Sequence, residues 1–345
     1  MLDLGGGGNL ETTMHLGRRS SQRRSSPRDP VTPDRIGRQA MPFDRARHFL
    51  GSCGLALLLA VAGGAPAMAA SLTLPAIAEP ASPEHHVGKV ILLELVTPDL
   101  AATEHFYGGL FGWTFHDTKT GAIDYAEAIL DGHPVAGLLQ KPVPAGTHRQ
   151  PAWLSFFAVH DVDATEKVAL QHGAQVLFAP HTFPDRGREA VFADPQGAVF
   201  AILASSSGDP PDFLAAPGEW IWSSLITSNP DTDAAFYQAL FNYDVFDLST
   251  GGGAAHLLLA SENYARASVN ALPVSGPDAR PYWLNYIRVE DAVKTTAKVV
   301  ALGGRVLVAP RVDRHGGKIA VVADPLGAPF GLLEWSDTQS KEVSK

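Results

Sequence analysis

The feature that most limits how this chain can fold is a repeat. ADPQGAVFAIL, from Ala193 to Leu203, returns as ADPLGAPFGLL, from Ala323 to Leu333, 130 positions further on. The same shift holds without a gap from Pro151 onward. Pro151, Trp153, Asp161, Gly173 and Pro180 meet Pro281, Trp283, Asp291, Gly303 and Pro310. Upstream, Phe106-Tyr107 and Leu110-Phe111 meet Phe236-Tyr237 and Leu240-Phe241. Chance does not keep one register that long, so the spacing predicts two homologous domains, at 87–206 and 218–336. A Pro/Gly-rich linker at 207–217 joins them, and 337–345 reads as a tail.

Each domain contains a finer repeat. Val90 to Val96 is an apolar strand, and Asp99 is a good helix N-cap. Leu100, Phe106, Leu110 and Phe111 form a helical stripe that stops at Gly112. Three short strand candidates follow, and from Leu154 the order starts again. There Asp163 to Glu166 reads as a capping box opening the second helix, which ends at Gly173. The unit is βαβββ, used twice per domain and four times in the chain. Asp-Pro-x-Gly is then a turn between the last two strands of a domain, with Pro presetting φ and Gly accepting a positive one.

The N-terminal region has the order of an export signal. Residues 1–40 are Gly-, Ser- and Arg-rich without periodicity and are expected to be disordered. Residues 41–69 give a short basic stretch, an apolar core from Leu55, and a small-residue cleavage pattern ending at Ala70. The chain is therefore expected to be exported, to the periplasm or outside the cell, and to leave the membrane once the signal is cut. Residues 70–86 are Pro/Ala-rich and read as a linker. The one cysteine, Cys53, lies within the signal, so the mature chain has no disulfide and no thiolate ligand. The net charge is -9, and residues 1–69 hold nine Arg against five acids. That leaves 18 Lys+Arg against 31 Asp+Glu, a surface that repels nucleic-acid backbones.

The paired βαβββ units, the Phe-Tyr…Leu-Phe-Gly-Trp helix end and the Asp-Pro-x-Gly hairpin resemble the vicinal oxygen chelate superfamily. Glyoxalase I, extradiol dioxygenases and the fosfomycin- and bleomycin-resistance proteins belong to it. The resemblance implies an α+β fold in which each domain curls an eight-stranded mixed sheet into a cup, and in which the two domains pair with each other. It also implies a divalent metal held by His, Gln or Glu from the first and last strands of each unit. Carried over residue by residue, those positions are Leu92, Leu154 and Ala201 in the first domain, and Trp222, Leu284 and Gly331 in the second. None can bind a metal, so no cofactor is expected, with a divalent metal as the alternative. The remaining position lies near Gln140 and Asn270, one amide per domain.

Strand alternation places Glu94, Phe156, Ala158, Ala201 and Leu203 in the first cup, otherwise apolar around one carboxylate. It places Trp222, Ser224, Tyr286 and Arg288 in the second, an aromatic floor with hydroxyls and a cation. Glu94 is either a general base or the partner of an arginine. Arg288 either binds an anionic group or reaches solvent at the rim. His181 is expected in a loop over the first cup. Two functions follow: a metal-free protein that holds a small, partly apolar molecule in its cups, or a lyase, isomerase or dioxygenase using Glu94 or a metal.

Overall fold

The computed structural model describes residues 73–120, 123–141, 151–250, 253–272, 280–313 and 317–335. The expected signal, the extension before it and the tail lie outside the described residues. The first βαβββ unit is β1 (Val90–Thr97), α1 (Leu100–Phe111), β2 (Thr114–Thr120), β3 (Ile123–Leu130) and β4 (His133–Gln140). The second is β5 (Ala152–Ala158), α2 (Val162–Gln171), β6 (Gln175–Phe183), β7 (Gly187–Ala193) and β8 (Val199–Ser205). The third is β9 (Trp220–Thr227), α3 (Pro230–Phe241), β10 (Asp244–Asp247), β11 (His256–Ser261) and β12 (Tyr264–Ala271). The fourth is β13 (Tyr282–Val289), α4 (Ala292–Ala301), β14 (Arg305–Val312), β15 (Lys318–Ala323) and β16 (Pro329–Glu334). They build two eight-stranded mixed sheets, β2-β3-β4-β1-β5-β8-β7-β6 and β10-β11-β12-β9-β13-β16-β15-β14. In each, the first strands of the two units pair antiparallel at the centre: Glu94 sits opposite Leu154, and Ser224 opposite Leu284.

The helix boundaries follow from capping. Asp99 accepts from the Ala102 N–H, and Gly112 ends α1 at a φ of 80°, where a side chain would be strained. The cap of α2 is Asp161, which accepts from the Ala164 N–H, not Asp163. Asp163 lies in the first turn and pairs with Arg188. His181 belongs to β6 and not to a loop, and its ring packs edge-on to Phe183. Among the described residues no helix is long and apolar enough to cross a membrane.

One face of each sheet packs on helices, and these cores cross between the domains. Leu93, Leu95, Phe106 and Tyr107 of the first domain share a core with Ile287, Val299, Phe330 and Leu332 of the second. Phe157, Phe200 and Ile202 share another with Leu225, Phe236, Tyr237 and Leu259. Trp153 and Trp283 lie in these cores and donate to the hydroxyls of Tyr107 and Tyr237 at 3.0 and 2.9 Å. The repeated turn helps to join the domains. One oxygen of Asp194 accepts from the N–H groups of Gln196, Gly197 and Ala198, and the other from the Tyr237 hydroxyl at 3.0 Å. Asp324 gathers Leu326, Gly327 and Ala328 in the same way. The other face of each sheet, turned away from the helices, is the concave one.

Candidate functional site

The two concave faces differ. In the first cup Leu154, Phe156, Ala158, Val191, Ala201 and Leu203 are buried. Strand alternation accounts for this face, but not for what covers it. Residues 73–80 lie across it and put Leu74 and Ile77, 4% and 9% exposed, onto the cup wall. The space left beside this strap is about 50 Å³, far below the few hundred of a ligand site.

At the base of the first cup Glu94 is held by Arg186. The Arg186 Nη1 donates to Glu94 Oε1 at 2.7 Å, and Nη2 donates to the Tyr125 hydroxyl at 2.8 Å. Tyr125 in turn donates to Glu94 Oε1 at 3.1 Å. All three side chains are buried. Gly137 is required here, because a Cβ would overlap the Tyr125 hydroxyl and Glu94. Glu189 faces the same hollow. Burial, then the charge of Glu94, pushes its pKa up to about 8 against the opposing pull of Arg186. Sequence reasoning missed Tyr125, Arg186 and Glu189. The one available signal was that a buried carboxylate demands a cation.

The second cup is more open. Tyr286, Ile319 and Val321 are half-buried where their counterparts Phe156, Glu189 and Val191 are buried. A continuous run of hydrogen bonds crosses its floor. The His256 Nδ1 meets Asn270 Oδ1 at 2.6 Å, and Asn270 Nδ2 donates to Ser268 Oγ at 3.0 Å. Ser268 also meets Ser224 Oγ at 2.8 Å and accepts from Trp222 Nε1 at 3.0 Å. Burial raises the Tyr286 hydroxyl above its usual range, while Arg311 and a hydrogen bond with Ser224 oppose the shift. Trp222, Ser224, Asn270 and Tyr286 thus come together, joined by Ser268 and His256, which the sequence reading did not single out.

The other candidates lie elsewhere. Gln140 accepts from the Leu100 N–H and so caps α1. Arg288 is buried and donates to the backbone carbonyls of Ala215 and Trp335, tying linker and C-terminal segment to β13. Phe156 is part of the first cup's wall.

Neither cup offers the superfamily's chelating set at the transferred positions. Leu154 and Ala201 are buried in an apolar wall, and a Cβ at Gly331 would overlap the Tyr286 ring, which fills that place. A different group of possible ligands lies outside the cups: one atom each from His86, Asp212 and Glu262 fall within 4.8 Å of one another. Those carboxylates already have cations. Lys89 and Arg266 each meet Asp212 at 2.8 Å, and Arg266 also meets Glu262 at 2.8 Å. Burial disfavours a charged His86, but its hydrogen bonds to Glu84 and Glu262 prevail and raise its pKa. A proton on that ring competes with a metal for the same lone pair. A cleft of about 190 Å³ between Leu92, Trp220, Phe213 and Lys89 is also too small for a ligand of the usual size.

Paired βαβββ units, cup-shaped eight-stranded sheets and exchanged cores define the class of tandem cup domains. Residues 85–202 match the family model of the Glyoxalase/Bleomycin resistance protein/Dioxygenase superfamily. CFP32 of Mycobacterium tuberculosis, provisionally named a glyoxylase, is 30% identical over 257 residues, which are 74% of this chain and 98% of that protein. The anthracycline biosynthesis protein DnrV of Streptomyces peucetius is 32% identical over 253 residues, 70% of this chain and 91% of that one. The chain belongs to the Glyoxalase/Bleomycin resistance protein/Dioxygenase superfamily. The Mn(II)-bound glyoxalase of Novosphingobium aromaticivorans superposes with a TM-score of 0.52 at 17% identity, over 73% of this chain and 84% of that one. A homoprotocatechuate 2,3-dioxygenase variant from B. fuscum gives the same score at 14% identity, over 76% and 74%. These two likenesses carry the fold alone.

Proposed function

We propose that this is an exported small-molecule-binding protein whose working site is the second cup, and that its ligand is a planar, oxygenated aromatic compound. One observation carries the reading. The floor of the open cup holds the His256–Asn270–Ser268–Ser224 run beside the rings of Trp222 and Tyr286. Aromatic rings offer stacking area, and the run offers donors and acceptors at fixed places. Arg311, close enough to act on Tyr286, adds a cation suited to an acidic phenol. Two relatives are named anthracycline biosynthesis proteins, and anthracyclines are built on flat, oxygenated ring systems. Binding here needs no metal, which agrees with the residues at the transferred positions. The enzymatic reading with Glu94 as base gains nothing from the geometry, because Arg186 and the strap occupy that carboxylate's surroundings. Export rests on the order of residues 41–69, and the N-terminus of protein recovered outside the cytoplasm, read by mass spectrometry, tests it.

The test of binding is a titration with 1,8-dihydroxyanthraquinone, followed by quenching of tryptophan fluorescence, on protein purified without a His tag. Saturable binding is expected, weakened about tenfold or more in Ser268→Ala and Tyr286→Ala, in line with the loss of one hydrogen bond or one stacked ring. Equal binding by both variants would overturn the assignment to this cup. One tightly held Mn, Fe, Ni or Zn ion per cup would overturn the metal-free reading.

A further inference from the structure

We propose that residues 73–80 are an intramolecular ligand of the first cup. When they leave, that cup becomes a second binding site, for a neutral, largely apolar compound carrying a carbonyl group. This stands apart from the reading of the second cup.

The strap's contacts are those of a bound molecule. Leu74 and Ile77 supply apolar bulk, Leu74 against Tyr125, Leu139 and Phe183, and Ile77 against the wall around Phe156 and Val191. The Pro75 carbonyl accepts from Arg186 Nε at 2.9 Å. The N–H groups of Ile77 and Ala78 donate to Ser207 Oγ at 3.1 and 3.0 Å. The strap belongs to no strand ladder, so it can leave without breaking the sheet, as segments with few cooperative contacts do.

The cup beneath is built independently of its cover. Arg186 spends Nη1 on Glu94 and Nη2 on Tyr125, so its position and charge are fixed from below. The Nε–H, the donor given to the strap, is what an arriving carbonyl would meet. Because Glu94 neutralises the guanidinium, a neutral acceptor suits this place better than an anion. Glu189 adds a second polar contact. It is 4% exposed, lies on the same strand face as Val191, and its Oε2 has no hydrogen-bond partner among the described residues. Burial favours its protonated form, so it can donate to the ligand. The corresponding position in the other domain is Ile319, so this polar floor is particular to the first cup.

The experiment uses the full chain, native and with Leu74→Asp and Ile77→Asp together, and Nile red, a neutral apolar carbonyl compound, as probe. Amide hydrogen exchange of residues 73–80 is measured in both. In the native chain the Ile77 and Ala78 amides are expected to exchange at least about tenfold more slowly than in a free peptide. In the double variant that protection is lost and one further equivalent of Nile red binds. A synthetic peptide of residues 73–80 then displaces that equivalent alone, and dye bound in the second cup is unaffected. Unprotected strap amides in the native chain, equal dye binding by both chains, or failure of the peptide to compete would each overturn the proposal. Should the double variant not fold, Ser207→Ala serves instead. It removes the acceptor of the two amides together with one contact to the Ser205 hydroxyl, and unchanged exchange of Ile77 and Ala78 there would equally overturn it.

Discussion

At the scale of single residues, the first cup turns on one ion pair in an apolar setting. Alternation in β1 picks out Glu94 from the sequence, because a carboxylate among Leu92, Val96 and Phe156 is conspicuous. Its partner is not legible. Arg186 lies 92 positions away, just before β7, and only the curl of the sheet brings it to Glu94. Arg186→Met should lower stability by about 3–5 kcal/mol in a denaturant titration, since it leaves a buried carboxylate without its cation. Adding Glu94→Leu to that variant should recover much of the loss, because two apolar groups need no solvation. Glu189 makes a pH prediction. Its folded pKa, about 8, lies above the ordinary carboxylate value, so the folded state holds the proton more tightly. The stabilisation is fully present below the ordinary value near 4.5 and is lost as pH rises through about 8. Glu189→Gln should therefore flatten the decline of melting temperature between pH 5 and about 8.

At the scale of elements, the repeated Asp-Pro-x-Gly motif is more than a turn. The sequence shows why the chain reverses there, but the Asp has a second task. Its carboxylate gathers three backbone N–H groups, and in the first copy it also reaches the hydroxyl of Tyr237 on α3 of the other domain. In the second copy the corresponding Asp324 faces the Tyr107 hydroxyl of α1, so the Tyr of the helix and the Asp of the turn recur as a pair across the domain junction. Asp194→Ala should cost roughly 2–4 kcal/mol in denaturant unfolding, since it strands three donors and one hydroxyl at a buried place. In β16 the small residue at 331 has the opposite logic: it is defined by what lies against it. Gly331→Ala should displace the Tyr286 ring and weaken the dihydroxyanthraquinone quenching about tenfold or more, with the fold kept by circular dichroism.

At the scale of the whole molecule, each helix-side core draws on both domains, so neither sheet has a complete core of its own. A single cooperative transition is expected in calorimetry, with calorimetric and van't Hoff enthalpies equal. Two separated transitions would contradict shared cores. The sequence by itself determined the four βαβββ units and the faces of most residues on the central strands, Arg288 excepted. These follow from local rules of capping, turn chemistry and alternation, and from a register held over 130 positions. Only the tertiary structure decided that the two cups differ in form: one closed by residues 73–80 over a paired carboxylate, the other open over a polar run. The deciding contacts join residues such as Pro75 and Arg186, or Glu94 and Arg186, whose meeting depends on how the sheet curves. Local periodicity carries no information about that curvature.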